Sequence, residues 1–352
     1  MLYLRKTYRE SFVFALIVFS IAVFTGSFLI FEIKKSEIEI QEISLAQMSE
    51  ISHFKTGTCP ITLMFVGDIM LDRGVEYMIK KYGGGDYRFP FTKISDYLQK
   101  ADILFGNLES IISDKGKRVG SIYSFRADSK AIEALKYANF DVLSVANNHI
   151  FDYGREAMED NFQRLKTAGI DFVGGGFSEK EAHLPVIKEV EGVKIAFLAY
   201  TNLGSKHWQA KGDFSGIAWL DERTEKDIKA TKEISDLLIV SMHFGDEYQS
   251  QPNSEQKYWA HLAIDAGADL VIGHHSHVIQ GIEKYKQGYI VYSLGNFVFD
   301  QGFSEATMQG LLLEVLIEDA EIKKVIPKKI KINNFFQPEI VEKLSFKELC
   351  PK

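Results

Sequence analysis

Short apolar runs, each broken by a glycine, carboxylate, amide or histidine, recur along the chain from residue 61 to about residue 300. They read ITLMFVGD, ADILFGNLES, FDVLSVANNH, KIAFLAYTN, SDLLIVSMHFGD, ADLVIGHHSH and GYIVYSLGNF. Each is too short for a helix and most are rich in β-branched or aromatic residues, so each predicts a buried strand with a loop at its carboxyl end. Helix-like stretches fall between several of them, at 129–138, 155–169 and 253–267. The last has Asn253 or Ser254 as an N-cap and Gly267 as a C-cap. Strands alternating with helices predict an α/β fold whose strands are buried on both faces.

A different pattern opens the chain. Ser11 to Phe31 carries no charge over 21 residues. As a helix it would span roughly 30 Å, the thickness of a bilayer core. A buried core helix or a cleaved leader would read similarly, but the first is rarely so long without charge, and no small-x-small cleavage site follows. Arg5, Lys6 and Arg9 precede it, and Glu32, Glu37 and Glu39 outweigh the lysines after it. The positive-inside rule then predicts a single-pass cell-membrane protein with a cytoplasmic tail (1–10), a transmembrane anchor (11–31) and everything beyond outside the cytoplasm. Residues 32–60, polar and Glu-rich, read as an extracytoplasmic stalk. The globular domain is expected over 61–315, with an extension at 316–352 that completes a sheet.

Composition narrows the partners. The 352 residues suffice for one large domain or two modest ones, and a formal charge of −7 argues against a nucleic-acid binder. Two cysteines, Cys59 and Cys350, are too few for a disulfide framework, though one bridge could form if the chain ends meet. No GxSxG, Walker A motif or candidate catalytic thiol is present, which removes serine-hydrolase, NTPase and cysteine-protease chemistry. KKVIPKKIKI (323–332) reads as a solvated strand face, or as a patch attracting a polyanion.

The polar residues cluster just past the apolar runs, at the edge where open α/β sheets bind ligands. In chain order they are Asp68 and Asp72; Asn107 and Glu109; Asn147, Asn148, His149 and Asp152; His243, Asp246 and Glu247; His274, His275 and His277; and Asn296. Carboxylate, imidazole and amide oxygen together suit a borderline divalent ion such as Mn²⁺, Fe²⁺ or Zn²⁺. On an extended segment His275 and His277 point one way and His274 the other, so the first two are candidate ligands and the third reads as structural. Two ions about 3.5–4 Å apart need a bridging ligand, for which Glu109 is the natural candidate. Asp72 serves equally well as the cap of a helix opened by RGVEYMIK, and Asn296 as a residue that orders a loop beside the site. His53, His183, His207 and His261 lack any surrounding motif and read as structural or surface residues.

The string Gly-Asp, Gly-Asn-Leu-Glu, Ala-Asn-Asn-His, a lone histidine after a strand, His-x-His and Ser-Leu-Gly-Asn-Phe resembles the CapA family of capsule-synthesis proteins over roughly residues 61–300. That resemblance implies a domain similar to the calcineurin-like metallophosphoesterases: a two-sheet sandwich flanked by helices. It implies a part in the synthesis, export or anchoring of a poly-γ-glutamate-type capsular polymer, alongside membrane-bound synthetase subunits, with metal-dependent hydrolysis or transfer as the chemistry. By motif, Asp68 and His277 would bind a first metal, Asn148, His243 and His275 a second, Glu109 would bridge, and His149 would be the general acid. Asp72, Asn107 and Asn296 are possible additional ligands. The chain departs from the phosphoesterase pattern at Met70, where a histidine is expected, and in GNLE, which is one residue short. A non-catalytic scaffold or polymer-binding subunit and a general metallophosphoesterase are the alternatives.

Overall fold

A computed structural model describes residues 60–119 and 122–343. The tail, the apolar span, all but the last residue of the stalk, and both cysteines lie outside the described residues. Among the described residues no helix is long and apolar enough to cross a membrane.

In chain order the main elements begin with β1 (Ile61–Ile69), α1 (Arg73–Lys81), β2 (Ile103–Leu108), α2 (Ile132–Ala138), β3 (Val142–Ser144), α3 (Gly154–Ala168) and β4 (Asp171–Val173). There follow β5 (Val186–Val190), β6 (Val193–Thr201), α4 (Thr224–Lys232), β7 (Leu237–His243), α5 (Ser254–Asp265) and β8 (Leu270–His274). The last are β9 (Ile282–Tyr285), β10 (Gly288–Val291), β11 (Asn296–Val298), β12 (Gln309–Glu318), β13 (Glu321–Ile332) and β14 (Pro338–Lys343).

These strands form two main sheets. The first runs β14-β13-β12-β1-β2-β3-β4, with β11 pairing beside the end of β1. Its half from β1 to β4 is parallel, and β12, β13 and β14 extend it antiparallel. The second runs β9-β10-β8-β7-β6-β5, parallel through its four central strands and antiparallel at both edges.

Side chains of period two sort the strands into three apolar layers. Leu63, Phe65, Ile103 and Phe105 of the first sheet meet Ile195, Phe197, Ile239 and Ile272 of the second between the sheets. The alternate residues Met64, Val66 and Leu104 face α1, α2 and α3 through Val75, Leu135 and Phe162. Leu198, Leu238 and Val271 face α4 and α5 through Ile228, Ala260 and Ala263. The result is the expected two-sheet sandwich flanked by helices, and both faces of each central strand are dry. Continuous apolar runs rather than polar alternation are the consequence.

Helix ends follow local chemistry. Asn253 is the N-cap of α5, in a reciprocal capping box with Gln256. The helix stops at Asp265, two residues short of Gly267, whose φ of +117° belongs to the turn that follows. The segment 129–138 begins with a 3-10 turn and becomes α-helical only at Ile132.

Phe105 and Phe197 stack at 5.6 Å across the sandwich, one from each sheet. Phe105→Ala should cost about 3–5 kcal/mol of unfolding free energy in a denaturant titration. A loss below about 1 kcal/mol would show that the two sheets do not share one close-packed layer.

Candidate metal centre

The parallel strands of both sheets deliver their carboxyl ends to one cleft. Asp68 lies near the end of β1, Asn107 near the end of β2, and His243 and His274 are the last residues of β7 and β8. Glu109 follows β2, His149 follows β3, and Asn296 opens β11 in register with Asp68. Gly67 makes this convergence possible, because a Cβ there would lie 1.9 Å from the carbonyl oxygen of Gly295. Without it the 294–296 turn could not come close enough for Asp68 N to donate to Gly295 O at 3.0 Å.

Asp68, Asn107, Glu109, His243 and His274 have no solvent exposure, and His277 has 2%. The donor atoms fall into two groups that share Glu109, namely Asp68, Glu109 and His277, and Glu109, His243 and His275. Within each group the atoms lie within 4.8 Å of one another. Asn148 belongs beside the second group, with its Oδ1 2.8 Å from His243 Nε2. Glu247, exposed at the cleft mouth, forms a further grouping with His275 and His277. It stands in HFGDEY, and only the turn after β7 brings it round to the histidine loop.

Amides hold this cluster in shape. Asn107 Nδ2 donates to Asp68 Oδ1 at 2.8 Å and lies 3.2 Å from His243 Nδ1. Asn147 Nδ2 donates in turn to Asn107 Oδ1 at 3.2 Å. Asn296 Nδ2 donates to Gln301 Oε1 and Thr307 O, so its Oδ1 faces His277 Nδ1 at 2.9 Å. The proton of His277 is therefore on Nδ1, and Nε2 is left as the free donor atom 3.7 Å from Glu109 Oε1. Asn107 and Asn296 thus act as supports that orient the donors.

Two sequence-based expectations change. His275 and His277 converge, but not as alternate residues of an extended strand: β8 ends at His274, and both residues have positive φ, 89° and 57°. The tight left-handed turn, not strand periodicity, aims them. Asp72 is not brought into the cluster, because Oδ1 caps α1 at Arg73 N and Oδ2 accepts from Arg126 N, each at 2.7 Å. Met70, standing where the phosphoesterase pattern has histidine, is buried and its sulfur accepts from Asp72 N.

His149 faces the cluster from the β3 loop. Its Nδ1 is 2.8 Å from Asp152 Oδ2, and its Nε2 is 3.8 Å from Glu109 Oε1. The ring stacks on Phe125 at 4.1 Å. Asp152 therefore fixes the proton on Nδ1 and turns Nε2 toward the cleft. The sequence displayed Asp152 three residues after His149, and that spacing within one turn was the signal that the two act together.

Burial decides the charges. Glu109 is pushed well above the ordinary carboxylate range, first by burial and then by the charge of Asp68. Burial also opposes the charge of Asp68, but His274 and His277 outweigh it and hold that carboxylate well below its usual value. His243 is driven well down by burial and the neighbouring His275, and His275 is lowered to about 3 by burial and His277. Neutral imidazoles are the metal-binding form. Glu109 Oε1 and His275 Nδ1 are buried without a hydrogen-bond partner among the described residues, whereas His274 Nδ1 lies 3.3 Å from Asp68 Oδ1. Orphaned buried donors of this chemistry cost free energy that a divalent cation would offset. The residues present therefore fit a divalent ion.

The cleft opens into a cavity of about 480 Å³ lined by Asn148, His149, Glu247 and His277 on its inner side and by Tyr123, Tyr248 and Phe303 at its rim.

A family model, bacterial capsule synthesis protein PGA_cap, matches residues 62–301. The chain belongs to the PGA_cap capsule synthesis family. The capsule biosynthesis protein CapA of Bacillus anthracis is 36% identical over 77% of this chain and 68% of its own length. The PGA biosynthesis protein CapA of Bacillus subtilis (strain 168) is 32% identical over 81% of this chain and 78% of its own. Among solved structures, a putative 5'-nucleotidase from Staphylococcus aureus superposes with a TM-score of 0.50 at 13% identity. That match covers 81% of this chain and 55% of the nucleotidase, and it shows a shared fold. In this PGA_cap chain all seven residues expected from the motifs to bind metal or donate a proton border one cleft, because β1, β2, β3, β7 and β8 all end there.

Two outcomes follow from these charges and contacts. Because the folded His275 takes up its proton only near pH 3, against an ordinary value of 6.5, its contribution is complete above about 6.5 and is lost as pH falls toward 3. Metal-free His275→Asn should therefore lose less stability than wild type between pH 6.5 and 4 in urea titrations; parallel curves would contradict this burial argument. Asn296→Ala should weaken divalent-metal binding about 10- to 100-fold by competition with a chelating dye while leaving the far-ultraviolet spectrum unchanged. An unaltered affinity would mean that Nδ1 of His277 needs no partner.

Proposed function

We propose that this protein is a membrane-anchored, metal-dependent enzyme that cleaves or transfers an amide of a poly-γ-glutamate-type capsular polymer. The relatives, which serve capsule and PGA biosynthesis, supply the polymer; the sharing of Glu109 between two donor groups, with His149 Nε2 3.8 Å from it, is the observation that carries the chemistry. The apolar segment 11–31 would hold the domain outside the cytoplasm beside membrane-bound synthetase subunits.

Asp68, Glu109 and His277 would hold one divalent ion and Glu109, Asn148, His243 and His275 another, and such ions polarise a carbonyl or phosphoryl oxygen and acidify water. The chain's own residues divide the remaining work. His149 holds a proton at Nδ1 against Asp152 and presents Nε2 to the cleft, where it delivers a proton to the departing nitrogen. Asp152 balances the positive charge that the ring carries before that transfer. Phe125 excludes water from one side of the ring and fixes its plane. Asn107 and Asn296 keep the donors oriented while charge moves.

One observation favours a second reading, a non-catalytic polymer-binding scaffold. Met70 occupies the position of a phosphoesterase ligand and is engaged with Asp72 N. A general phosphoesterase shares the fold, and Met70→His separates the three: a large gain in phosphodiester cleavage would point to a weakened phosphatase.

The direct test is hydrolysis of oligo-γ-glutamate by the metal-loaded full chain. His149→Ala should lower kcat about 10²- to 10⁴-fold while oligomer binding is kept. Wild-type rates in that variant would remove His149 from the chemistry, and no turnover by wild type would favour the scaffold. Asp152→Asn should lower kcat with KM and metal content unchanged; a change in KM alone would assign Asp152 to folding of the rim.

A further inference from the structure

Among the described residues lining the cavity, Arg73 is the only lysine or arginine. Its backbone is strained: φ is +51°, in the left-handed region that arginine rarely adopts. Asp72 sustains that conformation by accepting from Arg73 N. Such strain persists only where surrounding contacts over-determine it, and it gathers at ligand sites.

The side chain is positioned as firmly as the backbone. Asp300 accepts from Arg73 Nε at 3.1 Å and from Nη2, and also from Gly74 N at 2.9 Å. Gly74 is what permits this approach, since a Cβ there would lie 2.8 Å from the Cβ of Asp300. The guanidinium carbon lies 4.6 Å from the centre of the Phe125 ring, and that ring stacks on His149. Arg73 therefore stands one aromatic ring away from the proposed proton donor.

Asp300 occupies the Nε–Nη2 edge of the fork. No described residue accepts from Nη1, so the Nη1–Nη2 edge keeps a free donor on a side chain that lines the cavity and is 34% exposed. A purely structural ion pair would need neither the positive φ nor a place on the cavity. We propose that Arg73 is the substrate's oxyanion receiver: its open edge binds a carboxylate or phosphate borne next to the bond that is cleaved, with Asp300 and Phe125 holding the fork in place. The proposal deepens the polymer reading and rests on it for the location of the reacting bond. Each γ-linked glutamyl residue carries a free carboxylate beside its amide, which matches a single planar fork.

The test measures binding to the metal-loaded full chain by calorimetry, so that turnover is not needed. Three probes are used: oligo-γ-glutamate, the same oligomer with carboxamides in place of carboxylates, and phenyl phosphate. Wild type should bind the carboxylate oligomer at least 10-fold tighter than the carboxamide. Arg73→Gln should abolish that preference, and Arg73→Lys, which keeps the charge but not the fork, should retain part of it. Thermal unfolding of each variant separates lost binding from lost fold, and Arg73→Gly, which relieves the positive φ, supplies a well-folded second removal of the side chain. Carboxylate preference undiminished in both Arg73→Gln and Arg73→Gly would overturn the proposal and leave the polymer reading standing. Arg73-dependent binding of phenyl phosphate alone would uphold the oxyanion site and overturn the polymer as its substrate. No Arg73-dependent binding of any probe would overturn the proposal.

Discussion

Two carboxylates without solvent exposure, Asp68 and Glu109, share one dry cleft, and the architecture around them answers to that constraint. Like charges so placed cannot both ionise without compensation. His274, His277 and the amide of Asn107 compensate Asp68, while Glu109 keeps one oxygen with no partner. An apolar sandwich is needed to keep the cleft dry, and parallel strands are needed to bring five carboxyl ends to it. The amides of Asn107, Asn147 and Asn296 then fix which atom of each donor faces inward.

The close backbone approach at Gly67 and the left-handed turn at His275–His277 serve the same end. Both bring main chain nearer to the cleft than regular strands would. The layers of Phe65, Phe105 and Phe197 behind it make that placement rigid, because a close-packed layer transmits a shift in one sheet directly to the other. Outside that rigid cluster, Tyr123, Tyr248, Phe303 and the Arg73–Asp300 pair line the cavity.

Much of this was legible in the sequence. A strand buried on both faces must be written as a continuous apolar run, so β1, β2, β7 and β8 were visible, and with them the polar residues at their ends. Edge strands such as β5, half exposed and interrupted by Lys188 and Glu189, carry no such signal. The aim of His275 and His277 was not legible, because a two-residue period holds only while the strand continues, and β8 stops at His274. Asp72 was ambiguous by nature: the carboxylate that caps a helix and the carboxylate that binds a metal are the same group, and only the positions of Arg73 N and Arg126 N decide between them. Arg73 stood in view within VGDIMLDRG, yet its role depends on Asp300, which lies more than two hundred residues away.

If the buried carboxylate–imidazole cluster holds divalent metal, that metal must leave with its histidines. Elemental analysis of the purified full chain beside the His275→Ala/His277→Ala double variant tests it most directly. The wild type should carry near-stoichiometric manganese, iron or zinc, and the double variant should have lost it. A folded wild type that is metal-free and takes up no added metal would contradict metal binding by the cluster.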